Sequence, residues 1–451
     1  MKKAAVALVV LVACAARAQA DAPTFTKDVA LILWKNCAGC HHPGHVAPFS
    51  LLTYKDAARR AKFLAEITAS RRMPPWRAAP GYGPHFINER RMSDADIKTL
   101  AEWAEAGAPE GQPKDLPPMP KFREGWQLGT PDLVVKMPEP FTVPASGPDI
   151  YRCFIIPLPV DEDKTVSAVE FRPGNKRIIH HAGFHLDSKG QARKRDREDG
   201  KPGYTSVGSP GFSPTGSLGG WGLAGYPRFL PPSTGMPLAK GSDLVLQIHY
   251  HPSGKEEQDQ SEVAIYFSKK PATRFVTRFG ARQTTILIPA GEKRQRITGE
   301  SQPLPVDVEL WMVSNHMHIL GREVRSWAEL PDGTVQPFVW IKDWDFHWAE
   351  RYELATPMKL PKGTVIKVEG YYDNSADNPR NPNSPPKDVR YGNNLTDEML
   401  GCSLQVIVPS LADLRALEAL RGARFNRPAD GDTPAREGKV KLRPVPPPAK
   451  E

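Results

Sequence analysis

Proline sets the first limit on this chain: 47 of its 451 residues are proline. Each fixes φ and removes a backbone donor, so long helices are disfavoured, and strands, turns and linkers are favoured. The stretches between prolines agree. Leu244, Leu246, Ile248 and Tyr250 alternate with Val245, Gln247, His249 and His251, and Val306, Val308, Leu310 and Met312 repeat the pattern. Period-two runs split by Pro and Gly predict antiparallel sandwiches. Helical signals are few. Ser93 is placed to cap a helix carrying Ile97, Leu100, Trp103 and Ala104 on one face and ending at Gly107, and Ser410 opens another with Leu411, Leu414, Leu417 and Leu420. There is no internal repeat, and the length calls for two to four domains.

Residues 1–20 read as a secretory signal: Lys2 and Lys3 precede an apolar run, and Ala18-Gln19-Ala20 forms a small-residue cleavage site. This predicts a periplasmic protein. Leu11-Val12-Ala13-Cys14 also resembles a lipobox, so membrane attachment is expected only if Cys14 is lipidated. Cys153 and Cys402 are too few and too far apart to suggest a disulfide framework. The net charge of +9 comes from scattered Lys and Arg without a basic helix, which argues against nucleic acid and suits docking of an acidic redox partner. Residues 21–112 read as a small helical domain and 113–128, with Pro113, Pro117, Pro118 and Pro120, as a stiff linker. The remainder to 423 is β-rich, and residues 424–451 form a charged, proline-rich tail expected to be disordered.

Cys37-Ala38-Gly39-Cys40-His41 has the C-x-x-C-H spacing that lets two thiols bond the haem vinyls while the next imidazole reaches the iron. It predicts one covalent haem c; a redox dithiol would want a βαβ context that is missing. Met73, in the Met73-Pro74-Pro75 loop before the capped helix, is the expected sixth ligand, with Met92 and His85 as alternatives. This order resembles class I bacterial cytochromes c.

Seven of the 12 histidines fall in three clusters: His180, His181 and His185; His249 and His251; His316 and His318. Residues i and i+2 of a strand share a face, so His316 and His318 can chelate one metal while Met317 points away. His249 and His251 also share a face, and periodicity leaves open which one binds. Adjacent His180 and His181 need a bulge or a strand end to reach one ion.

Ile178-Ile179-His180-His181, Leu246-Gln247-Ile248-His249-Tyr250 and His316-Met317-His318-Ile319-Leu320-Gly321-Arg322 resemble the ascorbate-dependent type II copper monooxygenases, the family of peptidylglycine α-hydroxylating and dopamine β-monooxygenases. Asp149-Ile150-Tyr151-Arg152-Cys153, Ile286–Lys293 and Asp397-Glu398-Met399 resemble further segments of that core, in the same order, over about residues 129–410. The resemblance implies two β-sandwich subdomains, 129–275 and 276–423, facing each other across a solvent-filled cleft behind the all-α cytochrome c domain. It implies two copper ions. His180, His181 and His249 would hold the electron-transfer copper, and His316, His318 and Met399 the copper that binds O2. Two imidazoles with a thioether suit Cu(I), whereas a set of imidazoles alone also suits zinc. The implied activity is hydroxylation of a C–H bond of a small substrate by O2; the haem motif on the same chain as two expected copper sites adds the expectation that electrons from an outside donor are relayed through the haem.

Departures narrow the substrate. The place of the Arg that grips a peptide carboxylate in the amidating enzyme is Ser314, and Leu400 replaces the family's cysteine. Peptidylglycine is therefore not implied. A non-catalytic haem and copper electron carrier, or a haem enzyme such as a peroxidase on a β-scaffold, are the competing function classes.

Overall fold

The computed structural model describes residues 22–45, 47–87, 89–222 and 226–425. The signal segment, Cys14 and nearly all of the proposed tail lie outside them. No helix among the described residues is long and apolar enough to cross a membrane.

The described chain divides into two units. The smaller contains the residues up to Trp76 together with Arg90–Lys121. Short helices make it up: Ala30–Asn36, Tyr54–Ala58, Ala61–Ala69 and Asp94–Glu105. Hydroxyl caps start three helical segments, Thr24 accepting from Lys27 N, Thr53 from Asp56 N and Ser93 from Asp96 N. Phe25, Val29, Leu33, Leu51, Leu64, Met92, Leu100 and Trp103 form its core. Gly107, at φ +81°, takes the left-handed conformation that ends the last of these helices.

The expected all-α cytochrome domain followed by two sandwiches is not the architecture formed. Strand accounts for 36% of the structure and helix for 14%, in short pieces, with no distinct all-α cytochrome domain. Residues 77–89, placed by sequence inside the haem domain, fold into the β unit. There Ala79 N donates to Trp340 O at 2.7 Å, Ile87 N to Glu353 O at 2.8 Å and Ala355 N to His85 O at 2.8 Å. Gly83 lies so close to the neighbouring backbone that an added Cβ would stand 2.0 Å from Phe338 O. These pairings saturate strand edges, a long-range gain that local helix signals cannot report.

The larger unit holds a 12-stranded sheet and a 5-stranded sheet. The two expected sandwiches, divided near residue 275, are not separate. Strand Thr234–Leu238 pairs in parallel with Arg274–Gln283 (Arg274 opposite Thr234, Phe275 opposite Gly235), which joins both halves into the larger sheet. The core is continuous across the same point: Val276, Trp311 and Ile407 pack with Phe154, Phe184 and Leu246. Strand Asp243–Tyr250 is buried along its whole length, in the middle of the 5-stranded sheet between Ile150–Pro157 and Ile179–Asp187. Burial of each such Leu or Ile side chain contributes about 1.5–3 kcal/mol, which fixes the register of the strand that carries His249.

Candidate metal centres

Strand Ile179–Asp187 runs antiparallel to Asp243–Tyr250, with Ile179 opposite Tyr250 and His181 opposite His249. One residue, His180, is extra between those rungs: it is a β-bulge. The bulge turns both neighbouring imidazoles to one side. His180 Nδ1 lies 3.2 Å from His181 Nδ1, which lies 3.3 Å from His249 Nδ1, and the three ligating atoms lie within 4.8 Å of one another.

Asp149 holds this arrangement. His249 Nε2 donates to Asp149 Oδ2 at 2.8 Å, so its Nδ1 lone pair faces the other two rings. A carboxylate behind a ligating imidazole is the usual outer support of a metal site. His251 donates to the other oxygen, Oδ1, at 2.6 Å, and its side chain is 68% exposed. The periodicity left His249 and His251 equivalent; His249 joins the cluster and His251 braces Asp149. Tyr151 stacks on His249 at 4.1 Å between ring centroids.

The electrostatics favour neutral rings. Desolvation, then repulsion from His249, lowers the His180 pKa to about 4. Desolvation also holds His181 well below 6.5, although the residue as a whole is exposed, and lowers His249 against the pull of Asp149. Three neutral imidazoles with converging nitrogens form a donor set that fits a cation, and copper or zinc in particular.

The second cluster follows from strand period. Val308–Met317 buries Met317 completely, and His316 and His318 share the opposite face with ring centroids 5.2 Å apart. His318 Nδ1 donates to Asp397 O at 2.9 Å, which leaves its Nε2 free to ligate. Burial, then His318, lowers His316 to about 3. Met399 immediately precedes strand Leu400–Val408, whose Leu400 lies opposite Met317, so Met399 lies one rung on, beside His318. Both backbone amides converge on one oxygen: His318 N at 2.9 Å and Met399 N at 3.2 Å from Glu398 Oε2. Leu320 N donates to Glu398 Oε1 at 2.7 Å. This carboxyl is fully buried, and burial pushes it up to about 8 against the pull of the surrounding amides. Two imidazoles plus a neighbouring thioether fit a soft cation with positions left open.

Phe346 lies between the clusters. Its ring stacks on His180 at 5.7 Å and meets His318 at 5.8 Å and His316 at 6.3 Å. Sequence reasoning missed Phe346, which no local pattern marks; Asp149 and Glu398 stand in two of the resembling segments, but their parts as support and anchor are visible only in the fold. His347 is exposed beside Phe346, and His185 lies further along its strand, opposite Val245.

In the smaller unit, Cys37 ends helix Ala30–Asn36, and a tight turn brings His41 N to within 2.9 Å of Cys37 O. Cys37 and Cys40 are free, and burial, then Cys40, pushes the Cys37 thiol up to about 12. That is the reverse of a reactive dithiol, whose attacking sulfur is held low. His41 Nδ1 donates to Phe49 O at 3.1 Å, so Nε2 is the nitrogen left to bind a haem iron. Met73 is half-buried on its loop, Met92 is packed in the core, and exposed His85 belongs to the segment folded with the β unit.

No protein-family model and no curated protein matches the chain. Among solved structures, the major capsid protein P2 of bacteriophage PM2 is similar over 61% of this chain and 97% of its own, at 10% identity and a TM-score of 0.24. The infectious bursal disease virus Gx strain structure covers 62% of this chain and 72% of its own, at 8% identity and a TM-score of 0.18. Scores this low assign neither fold nor function.

Proposed function

We propose that this chain is an exported copper monooxygenase that hydroxylates a C–H bond of a small molecule, fed by a covalent haem c. The observation that carries the reading is the pair of unlike imidazole clusters, one of three rings and one of two beside a methionine, on either side of Phe346. A single structural zinc site would need only one such cluster.

His180, His181 and His249 would hold one copper; His316, His318 and Met399 would hold the other; Cys37, Cys40 and His41, with Met73, would hold the haem. When bound, the copper beside Met399 supplies O2 binding and reduction, and the other copper and the haem store and pass single electrons. The balance is one C–H bond and O2, with two electrons and two protons, giving C–OH and water. An outside single-electron donor supplies the electrons. The chain's own groups prepare the sites. Asp149 keeps a proton on His249 Nε2 and so keeps Nδ1 basic. Asp397 O does the same for His318, leaving Nε2. Glu398 fixes the backbone of His318 and Met399 together. Phe346 packs against rings of both clusters.

Metal analysis and O2 uptake test this. Purified protein should carry two coppers and one haem, and with a reductant should consume O2 while a hydroxylated product accumulates. Two coppers without any O2-dependent product across a broad substrate panel would leave an electron carrier instead. The haem relay has its own test: on rapid mixing, reduced haem should reoxidise faster with copper loaded than without, and equal rates would end it.

A further inference from the structure

Loop 342–351 leaves strand Val335–Ile341 and returns in strand Tyr352–Leu360. It carries two rings to the histidines. Trp344 is fully buried, and its Nε1 donates to His318 O at 3.1 Å. Phe346 packs against His180, His316 and His318, and so meets both clusters. Asp345, between the two rings, caps the turn Phe346–Trp348: its Oδ1 accepts from His347 N at 3.1 Å.

Residues 77–87 grip both stems of this loop. On one stem Ala78 bridges Ile341, Ala79 N donates to Trp340 O, and the Tyr82 ring meets Trp340 edge-on at 5.6 Å. On the other, Phe86 bridges Leu354, its ring lies 5.3 Å from that of Tyr352, and Ile87 N donates to Glu353 O. Arg77 reaches into the loop itself. Its Nη1 donates to Asp343 Oδ2 at 3.1 Å and its Nη2 to Asp345 Oδ2 at 3.4 Å, so one guanidinium joins carboxylates on either side of Trp344 in the chain. The Arg77 side chain is only 12% exposed and that of Asp345 26%, so this pair is less screened than one on the open surface. A planar fork of donors fixes direction as well as distance.

We infer that residues 77–87 are a clamp that seats Phe346 against the histidine clusters, and that Arg77 is the positioning residue at its head. Arg77 acts through Asp345, which caps the turn, and so through Phe346. The Phe346 ring is stacked on His180 at 5.7 Å, within 11° of parallel. A ring held there limits the rotamers open to that imidazole, and with them the direction of its nitrogens. The clamp itself does not depend on a metal; its consequence, nitrogens kept aimed at a cation, rests on the proposed copper centres.

Labelling of histidines with diethyl pyrocarbonate, followed residue by residue by mass spectrometry on the metal-free full-length protein, tests this. His180 lies against Phe346, and His251, 68% exposed and braced on Asp149, serves as the internal reference. Arg77→Gln should speed labelling of His180 about two- to fivefold, with His251 unchanged. Phe346→Ala should speed it more, and the double variant should be no faster than Phe346→Ala alone, because both changes act along one path. Arg77→Lys, which keeps the charge without the fork, should fall between Arg77→Gln and the unaltered protein. An unchanged His180 rate in Arg77→Gln, additive effects in the double variant, or equal rises at His180 and His251 overturn the inference. Should Arg77→Gln fail to fold, Asp345→Asn replaces it: this keeps a capping side chain and removes a charge that Arg77 grips, and the same outcomes decide. Because labelling is read without metal or O2, a failed monooxygenase reading leaves this result standing, and unchanged labelling leaves the copper and O2 results standing.

Discussion

The two histidine clusters are built by opposite means. The His180–His181–His249 cluster depends on an irregularity, a bulge that brings adjacent residues to one side, and on Asp149 behind one ring. The His316–His318 cluster depends on regularity, the two-residue strand period, and on a buried carboxyl, Glu398, that pins backbone rather than imidazole. The first is a complete set of three nitrogens that restrain one another. The second has only two imidazoles, with Met399 one rung on beside His318. A closed set suits holding an ion for electron storage; an open set suits binding a reactant. Under the proposed function the clusters would differ in role because they differ in how many positions the fold fills.

The strongest way to break that contrast is to remove one centre at a time. His181→Ala should lower copper from two to one and abolish turnover, with the remaining copper held by His316 and His318. Met399→Ala should abolish turnover too, while weakening Cu(I) far more than zinc at the second centre. Copper titration with Cu(I) and zinc competition reads both. Equal loss of both coppers in either variant would mean that the clusters are one site.

Glu398→Ala tests the anchor. Three amides, two of them buried, would lose their acceptor, at a cost of about 1–3 kcal/mol for each buried one, read as a lower melting temperature of the metal-free protein. The loss should fall on the second centre, with copper at the three-histidine site retained once the protein is folded.

Asp149→Asn is the milder counterpart at the first centre. Loss of the carboxylate behind His249 should weaken copper there about 10–100-fold and leave the second centre unchanged, as measured by competition with a chelator. If both affinities fell together, Asp149 would be a general structural support rather than a partner of one ring.

The period-two runs and the sparse helix signals were legible in the sequence, and so was the shared face of His316 and His318. The need for a bulge at His180 was legible as a requirement. What the sequence could not supply depends on contacts between distant segments. Asp149 meets His249 across 100 positions and Glu398 meets the His318 amide across 80; no local period links such residues. The parallel pairing of Thr234–Leu238 with Arg274–Gln283 is likewise set by which edges meet, and it replaced two separate sandwiches with one joined sheet. Residues 77–89 were misplaced for the same reason: a short stretch without helical period says nothing of the strand edge it will cover.

The last prediction concerns pH. Burial lowers His180 to about 4 and His316 to about 3, from 6.5. The unfolded chain binds protons below 6.5 before the folded chain does, so the metal-free protein should lose stability as pH falls from 6.5 towards 3 and keep it above 6.5. Replacing His180 and His316 with Gln should flatten this slope in denaturant titrations, and an unchanged slope would show that neither ring is held neutral by the fold.

The most direct test is anomalous diffraction at the copper edge from crystals of the copper-loaded protein. The account predicts two separate peaks, one among the His180, His181 and His249 nitrogens and one bound by His316, His318 and the Met399 sulfur. A single peak, or a second peak with the Met399 sulfur turned away from it, would contradict it.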